Sequence, residues 1–152
     1  MINNGVTAAR GTVPVANVAP GLFSQNGSGQ GVAAAVLLRV KPDSTQLYEP
    51  IARFDAAQNR FVALPLELGP ETDQLFLLLF GTGLRGRTRP PVVSATIGGV
   101  TAEVTYSGPQ GTFIGLDQVN VRLPRSLAGR GEVNILYTAD GKLANVVTVS
   151  VR

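Results

Sequence analysis

Four groups of residues have types and spacings that could do chemistry. The run Gly81-Thr82-Gly83-Leu84-Arg85-Gly86 spells G-x-G-x-x-G after an apolar stretch, the spacing of a loop that cradles a dinucleotide pyrophosphate. That chemistry needs a helix to begin at the loop, because the helix N-terminus holds the phosphates, and Arg87-Thr88-Arg89-Pro90-Pro91 forbids one. The motif therefore reads as a glycine-rich bend closing a strand. Beside it, Arg85, Arg87 and Arg89 could bind phosphate, sulfate or an acidic glycan through charge-assisted hydrogen bonds, or could simply be solvated. Glu67, Glu71 and Asp73 form a local carboxylate cluster around Gly69-Pro70. They lack the alternating Asp pattern of a calcium loop and read as a solvated turn. Gln118 and Asn120 project from one face of a strand, next to Asp117. They could read a sugar, or hydrogen-bond neighbouring loops and hold the fold closed.

Histidine and cysteine are both absent. No Ser-His-Asp or Cys-His nucleophile, zinc site of the usual ligands or disulfide can be built, so a non-catalytic chain without cofactor is expected. Net charge is +3, from 13 Lys and Arg against 10 acids, with Arg outnumbering Lys and no basic block or interleaved aromatics. Nucleic acid is not an expected partner, and no apolar run approaches a membrane span. The first ten residues carry no signal-peptide-like run, so an exported protein would contain this chain as a piece.

The elements that must position these groups are strands. With 152 residues, 44% hydrophobic, 18 Gly and 10 Pro, the chain has the composition of short strands joined by many turns. Strands are expected at 12–18, 32–40, 46–54 (with Pro50 marking an edge), 59–64 and 75–80, the last apolar at every position and so covered on both faces. The stretch 111–124 organises the rest: Val119, Val121 and Leu123 alternate with Gln118, Asn120 and Arg122, and burying the apolar three contributes about 1.5–3 kcal/mol each. The Ser24–Gly31 run is a polar loop in which Asn26-Gly27-Ser28 matches a glycosylation triplet, a pattern common by chance.

Two hairpins close the chain. Gly98-Gly99 suits a primed turn pairing Ile97 with Val100, Ala95 with Ala102 and Val93 with Val104. At 139–141 a three-residue loop, with Gly141 left-handed, pairs Tyr137 with Leu143 and Val133 with Val147. It sets Asn145 opposite Ile135, where its amide must tie down a neighbouring backbone. The pattern predicts an all-β, immunoglobulin-like β-sandwich with a strand-rich N-terminal extension. Residues 1–18 read as an N-terminal segment, the end of a preceding domain being one reading; 19–91 form a strand-rich half, and 92–152 an Ig-like half joined with it in one unit.

On Val18-Ala19-Pro20-Gly21-Leu22-Phe23, Gly27-Ser28-Gly29-Gln30-Gly31, Leu79-Phe80-Gly81-Thr82-Gly83-Leu84, Ile97-Gly98-Gly99-Val100, Gly115-Leu116-Asp117-Gln118-Val119-Asn120-Val121, Pro124 and Ala144-Asn145, the chain resembles the uncharacterised C-terminal domains of acidobacterial secreted proteins, related in fold to immunoglobulin-like and IPT-type sandwiches. The resemblance implies an exported Ig-like module, extracellular or in the cell envelope. Its partners would be other domains of a larger polypeptide, or a glycan or cell-envelope component. It implies no catalytic residues. A structural or adhesive role is expected first. A carbohydrate- or polyanion-binding module, using Arg85, Arg87 and Arg89 or the Gln118/Asn120 face, is the alternative.

Overall fold

Nine residues of one strand, Gln74–Thr82, form the spine of the fold. The computed structural model describes residues 11–152 together with two short paired strands, β1 (Ile2–Asn3) and β2 (Val6–Thr7). In chain order the remaining strands are β3 (Gly21–Leu22), β4 (Ala35–Val40), β5 (Gln46–Pro50), β6 (Ala52–Asp55), β7 (Arg60–Ala63), β8 (Pro65–Leu66) and β9 (Gln74–Thr82). They are followed by β10 (Val93–Ile97), β11 (Val100–Ala102), β12 (Val104–Pro109), β13 (Asp117–Arg122), β14 (Gly131–Ala139), β15 (Lys142–Leu143) and β16 (Val147–Val151). One sheet runs β12-β13-β9-β4-β5, with β3 added at the far end of β9. The other runs β11-β10-β14-β16-β8, with β15 continuing the β14 hairpin. The β6–β7 hairpin stands apart, joined by Asp55↔Arg60 and by an edge-on contact of Phe54 and Phe61. Each sheet takes strands from both halves of the chain, and Pro50 lies on an edge strand, where its missing N–H disrupts no ladder.

The two sheets pack face to face as an all-β sandwich. Leu37, Leu75, Leu77, Leu79, Val119 and Val121 of the first meet Ile97, Ile135, Tyr137, Val147 and Val149 of the second, and Ile51, Leu84, Leu123 and Leu127 fill the same core. The alternation in β13 places Val119 and Val121 inward. Strand geometry begins only at Asp117, however, and 111–116 is a loop. In β9 the second apolar set, Phe76, Leu78 and Phe80, lies on the outer face of the first sheet, beside Val36 and Leu38 of β4.

Three expectations need correction. Residues 12–18 form no strand: Val13 and Val15 are 80% and 90% exposed, and Pro14 cannot donate to a ladder. At the Gly98-Gly99 turn, where both glycines have positive φ, Ile97 pairs with Val100 and Ala95 with Ala102 as expected, but the run then changes sheets at Glu103. Val104 pairs with Val121 and Val93 with Ala139, so one continuous stretch serves as a corner between layers. At the last hairpin the loop has two residues, Asp140 and Gly141, both at positive φ, and Thr138 faces Leu143. The faces are not scrambled, because an extra residue is absorbed between Leu143 and Val147: Ile135 pairs with Val147 and Val133 with Val149, which returns both valines to the core. Asn145 sits in that irregular step rather than opposite Ile135.

Tyr137 is the largest fully buried side chain, and its hydroxyl shares a 2.8 Å hydrogen bond with Ser107 Oγ across the sheets. Burial pushes its phenol above the ordinary value of 10.0, partly offset by the Ser107 hydrogen bond and the nearby Arg87 charge. The folded state thus favours the neutral form. Its contribution is whole below about pH 10 and is lost as pH rises beyond, because the unfolded chain ionises first. Tyr137→Phe should lose about 1 kcal/mol at neutral pH, yet show a shallower fall in urea midpoint above about pH 10 than the wild type.

Candidate functional site

Asp117 opens β13 opposite Gly81 and is 1% exposed. A carboxylate so buried must find donors, and two come from the glycine-rich bend: Leu84 N–H donates to Oδ2 at 2.9 Å and Arg85 Nε to Oδ1 at 2.9 Å. Arg85 Nη2 also donates to the Leu116 carbonyl at 2.9 Å. Arg87 donates through Nη1 to the Leu84 carbonyl at 3.0 Å and through Nη2 to the Ser107 carbonyl. Arg89 is exposed and has no hydrogen-bond partner among the described residues. The three arginines, with Thr88 and Pro109, surround a notch of about 470 Å³. Asp140 brings negative charge nearby, its carboxyl held below the ordinary value by the Thr88 hydroxyl and N–H, each donating at 2.7 Å. Arg85 and Arg87 are thus largely committed to holding the bend. Only Arg89 is wholly available to an outside anion.

The glycines of the bend serve the chain itself. A β-carbon built on Gly81, Gly83 or Gly86 would overlap the carbonyl of Gly21, Ala19 or Asn17 respectively, because the segment 17–21 lies directly against the bend. Ala19 N–H donates to the Gly83 carbonyl at 3.1 Å, and Gly21 pairs with Thr82. No helix follows the motif, so nothing there cradles a pyrophosphate.

Asn145 completes the same end of the sandwich. Its Oδ1 accepts from Leu22 N–H at 2.8 Å, while Nδ2 donates to the carbonyls of Leu22 at 2.8 Å and Gly29 at 2.6 Å. Those bonds fasten β3 and the glycine-rich loop to the step between β15 and β16. Within the loop, Asn26 Oδ1 accepts from Ser24 Oγ, Ser28 N–H and Ser28 Oγ at 2.7–3.0 Å, and Ser24 Oγ accepts from Gly29 N–H. The polar run is internally braced.

Gln118 and Asn120 lie on the outer face of the first sheet and bond one another, Nε2 to Oδ1 at 2.7 Å. Their ladder neighbours are Phe80 and Leu78, and Tyr106 stands beside Asn120 on β12. Arg122 continues the row with its guanidinium 4.9 Å from the Phe76 ring centre and Nε donating to Glu103. The face is therefore apolar and aromatic with an amide strip, and the arginine notch does not include either amide.

At the other end of β9, the carboxylate cluster differs from a solvated turn. Asp73 is buried and accepts from Arg39 Nη1 at 3.3 Å, while Glu49 accepts from Arg39 Nε at 2.6 Å. Arg39 also donates to the Leu68 and Glu67 carbonyls, and Arg125 to those of Gly69, Pro70 and Asp73. The Glu67 side chain reaches out to Arg152. Among the described residues no group of three acidic side chains is placed to hold a metal ion. Arg39 went unread in the sequence, although a clue was there: it occupies the inward phase of a strand whose other inward residues are Ala35 and Leu37.

No protein-family model, curated protein or solved structure matches the chain. Among the described residues no helix is long and apolar enough to cross a membrane.

Two substitutions test this arrangement by thermal and urea denaturation. Gly83→Ala meets both a positive φ and the Ala19 carbonyl and should cost about 3 kcal/mol or more, against about 1 kcal/mol for Gly111→Ala, where φ is also positive but space is open. Asp117→Ala should cost about 2–3 kcal/mol by orphaning the Leu84 N–H and the Arg85 guanidinium, and Arg85→Met less, since that side chain is half-exposed.

Proposed function

We propose that the chain is a non-catalytic, Ig-like structural or adhesive module of an exported bacterial protein, joined to other domains of a larger polypeptide. The observation that carries this reading is the contrast between its committed charges and its uncovered apolar face. Arg39, Arg85, Arg87, Arg125, Asp73 and Asp117 are all engaged in holding loops to strands. By contrast, Val36, Leu38, Tyr48, Phe76 and Phe80 share one outer sheet face, with Tyr48 62% exposed. A contiguous apolar face on a β-sandwich favours contact with another surface. The compartment and the larger polypeptide follow from the resemblance to secreted-protein C-terminal domains. The mechanism is rigid presentation: polar ties at both ends of β9 fix the loops 24–31 and 81–91 relative to that face.

Retention of isolated bacterial envelope fragments on immobilised chain tests this reading. The wild type should retain them, and a Leu38→Lys/Tyr48→Lys variant of unchanged thermal midpoint should retain about tenfold less. Absence of retention by the wild type, equal retention by the variant, or turnover of an envelope polymer abolished by Asp73→Asn or Glu67→Gln would overturn it.

A further inference from the structure

The outer face of the second sheet differs in kind from that of the first. Glu132 pairs with Ser150 and Asn134 with Thr148, so four polar side chains stand side by side across β14 and β16. The braced loop 24–31 walls this surface on one side, with the segment at Val32 bridging to Thr148, and β7 walls it on another through Arg60 and Phe61. Two adjoining cavities of about 440 and 580 Å³ result, sharing Gly31 and Thr148, and together they make one trough. Each falls in the ~300–1,000 Å³ range of small-ligand sites, but this lining is richer in amides and hydroxyls than most.

We propose that this trough is a binding site for a neutral saccharide. Gln25, Glu132, Asn134 and Ser150 face it, and their side chains make no hydrogen bond to another described residue. Amides and hydroxyls that both donate and accept match ligand hydroxyls that do the same. The charges balance, Arg60 against Glu132, which gives a polyanion no advantage. The partly exposed Phe61 ring offers an apolar surface to the C–H face of a sugar. The loop needs no ordering on binding, since Asn26 and Asn145 already brace it.

A second observation comes from Thr148. It lines both cavities, yet its hydroxyl oxygen is buried and without a partner, the one side-chain polar atom of the described residues in that condition. An unpaired buried hydroxyl is unfavourable. A turn of χ1 to another staggered well would move the oxygen to the site now held by the methyl group or by Hβ, and a sugar hydroxyl in the trough would pair with it once it is reached.

The site stands independently of the scaffold reading, which concerns the other sheet face. Titration of the full chain with neutral gluco-, xylo- and manno-oligosaccharides to millimolar concentration, followed by amide NMR, tests it. At least one should shift resonances of residues 25–31, 132–134 and 148–150. Thr148→Val should weaken that affinity about tenfold while leaving the thermal midpoint unchanged or higher, and Asn134→Ala should weaken it similarly. No shifts with any of them, shifts confined to the Gln118/Asn120 face, tighter binding of a sulfated oligosaccharide, or an affinity indifferent to both variants would overturn the proposal.

Discussion

A carboxylate inside a β-sandwich is tolerable only when donors surround it, and Asp117 meets that condition with a backbone N–H and a guanidinium from the same bend. Meeting it holds Leu84 and Arg85, just after β9, against the start of β13. The bend brings Gly81, Gly83 and Gly86 flush against residues 17–21, where no side chain fits. Leu22 then seats in the core, and Asn145 has a backbone edge to bind. The bonds of one buried acid thus sit where four separate stretches of chain come together.

Arg39 is the counterpart at the opposite end of β9, across the ladder from Leu75. Its partners are two carboxylates and two carbonyls, so the turn before β9 is held as firmly as the bend after it. Between these ties the sandwich is apolar: Leu77, Leu79, Val119 and Val121 on one layer, Ile135, Val147 and Val149 on the other. Hydrophobic burial supplies the stability and the inward apolar pattern sets the register, while the polar ends hold the loops to the strands. Exposed ion pairs such as Arg152 with Glu67 add little to either.

β13 and the Gly98-Gly99 hairpin were legible because period-two patterning is a local signal, and β9 because an unbroken apolar run is one too, although Phe76 and Phe80 are half-exposed on its outer face where cover on both faces was expected. Stretches that depart from such patterns depend on distant partners. The change of sheet at Glu103 is set by Val121, and the step around Asn145 by Leu22 and Gly29, none of which is near in sequence. Arginines were hardest to read. A guanidinium tied to carbonyls and one free in solvent look alike as letters, which is why Arg85 and Arg87 resembled an anion clamp before their acceptors were known. The trough was invisible for a similar reason. Its walls come from residues 25–32, 60–63 and 132–150, a juxtaposition that no window of sequence contains.

The bond from Asn145 to Leu22 spans 123 positions. During synthesis Gly29 of the glycine-rich loop would emerge 116 residues ahead of the Asn145 amide that ties it down. Topology of this kind slows folding, because distant closure must precede its reward. Order in the loop would therefore be among the last things gained, and the trough it borders would form only on a chain already committed to its native state.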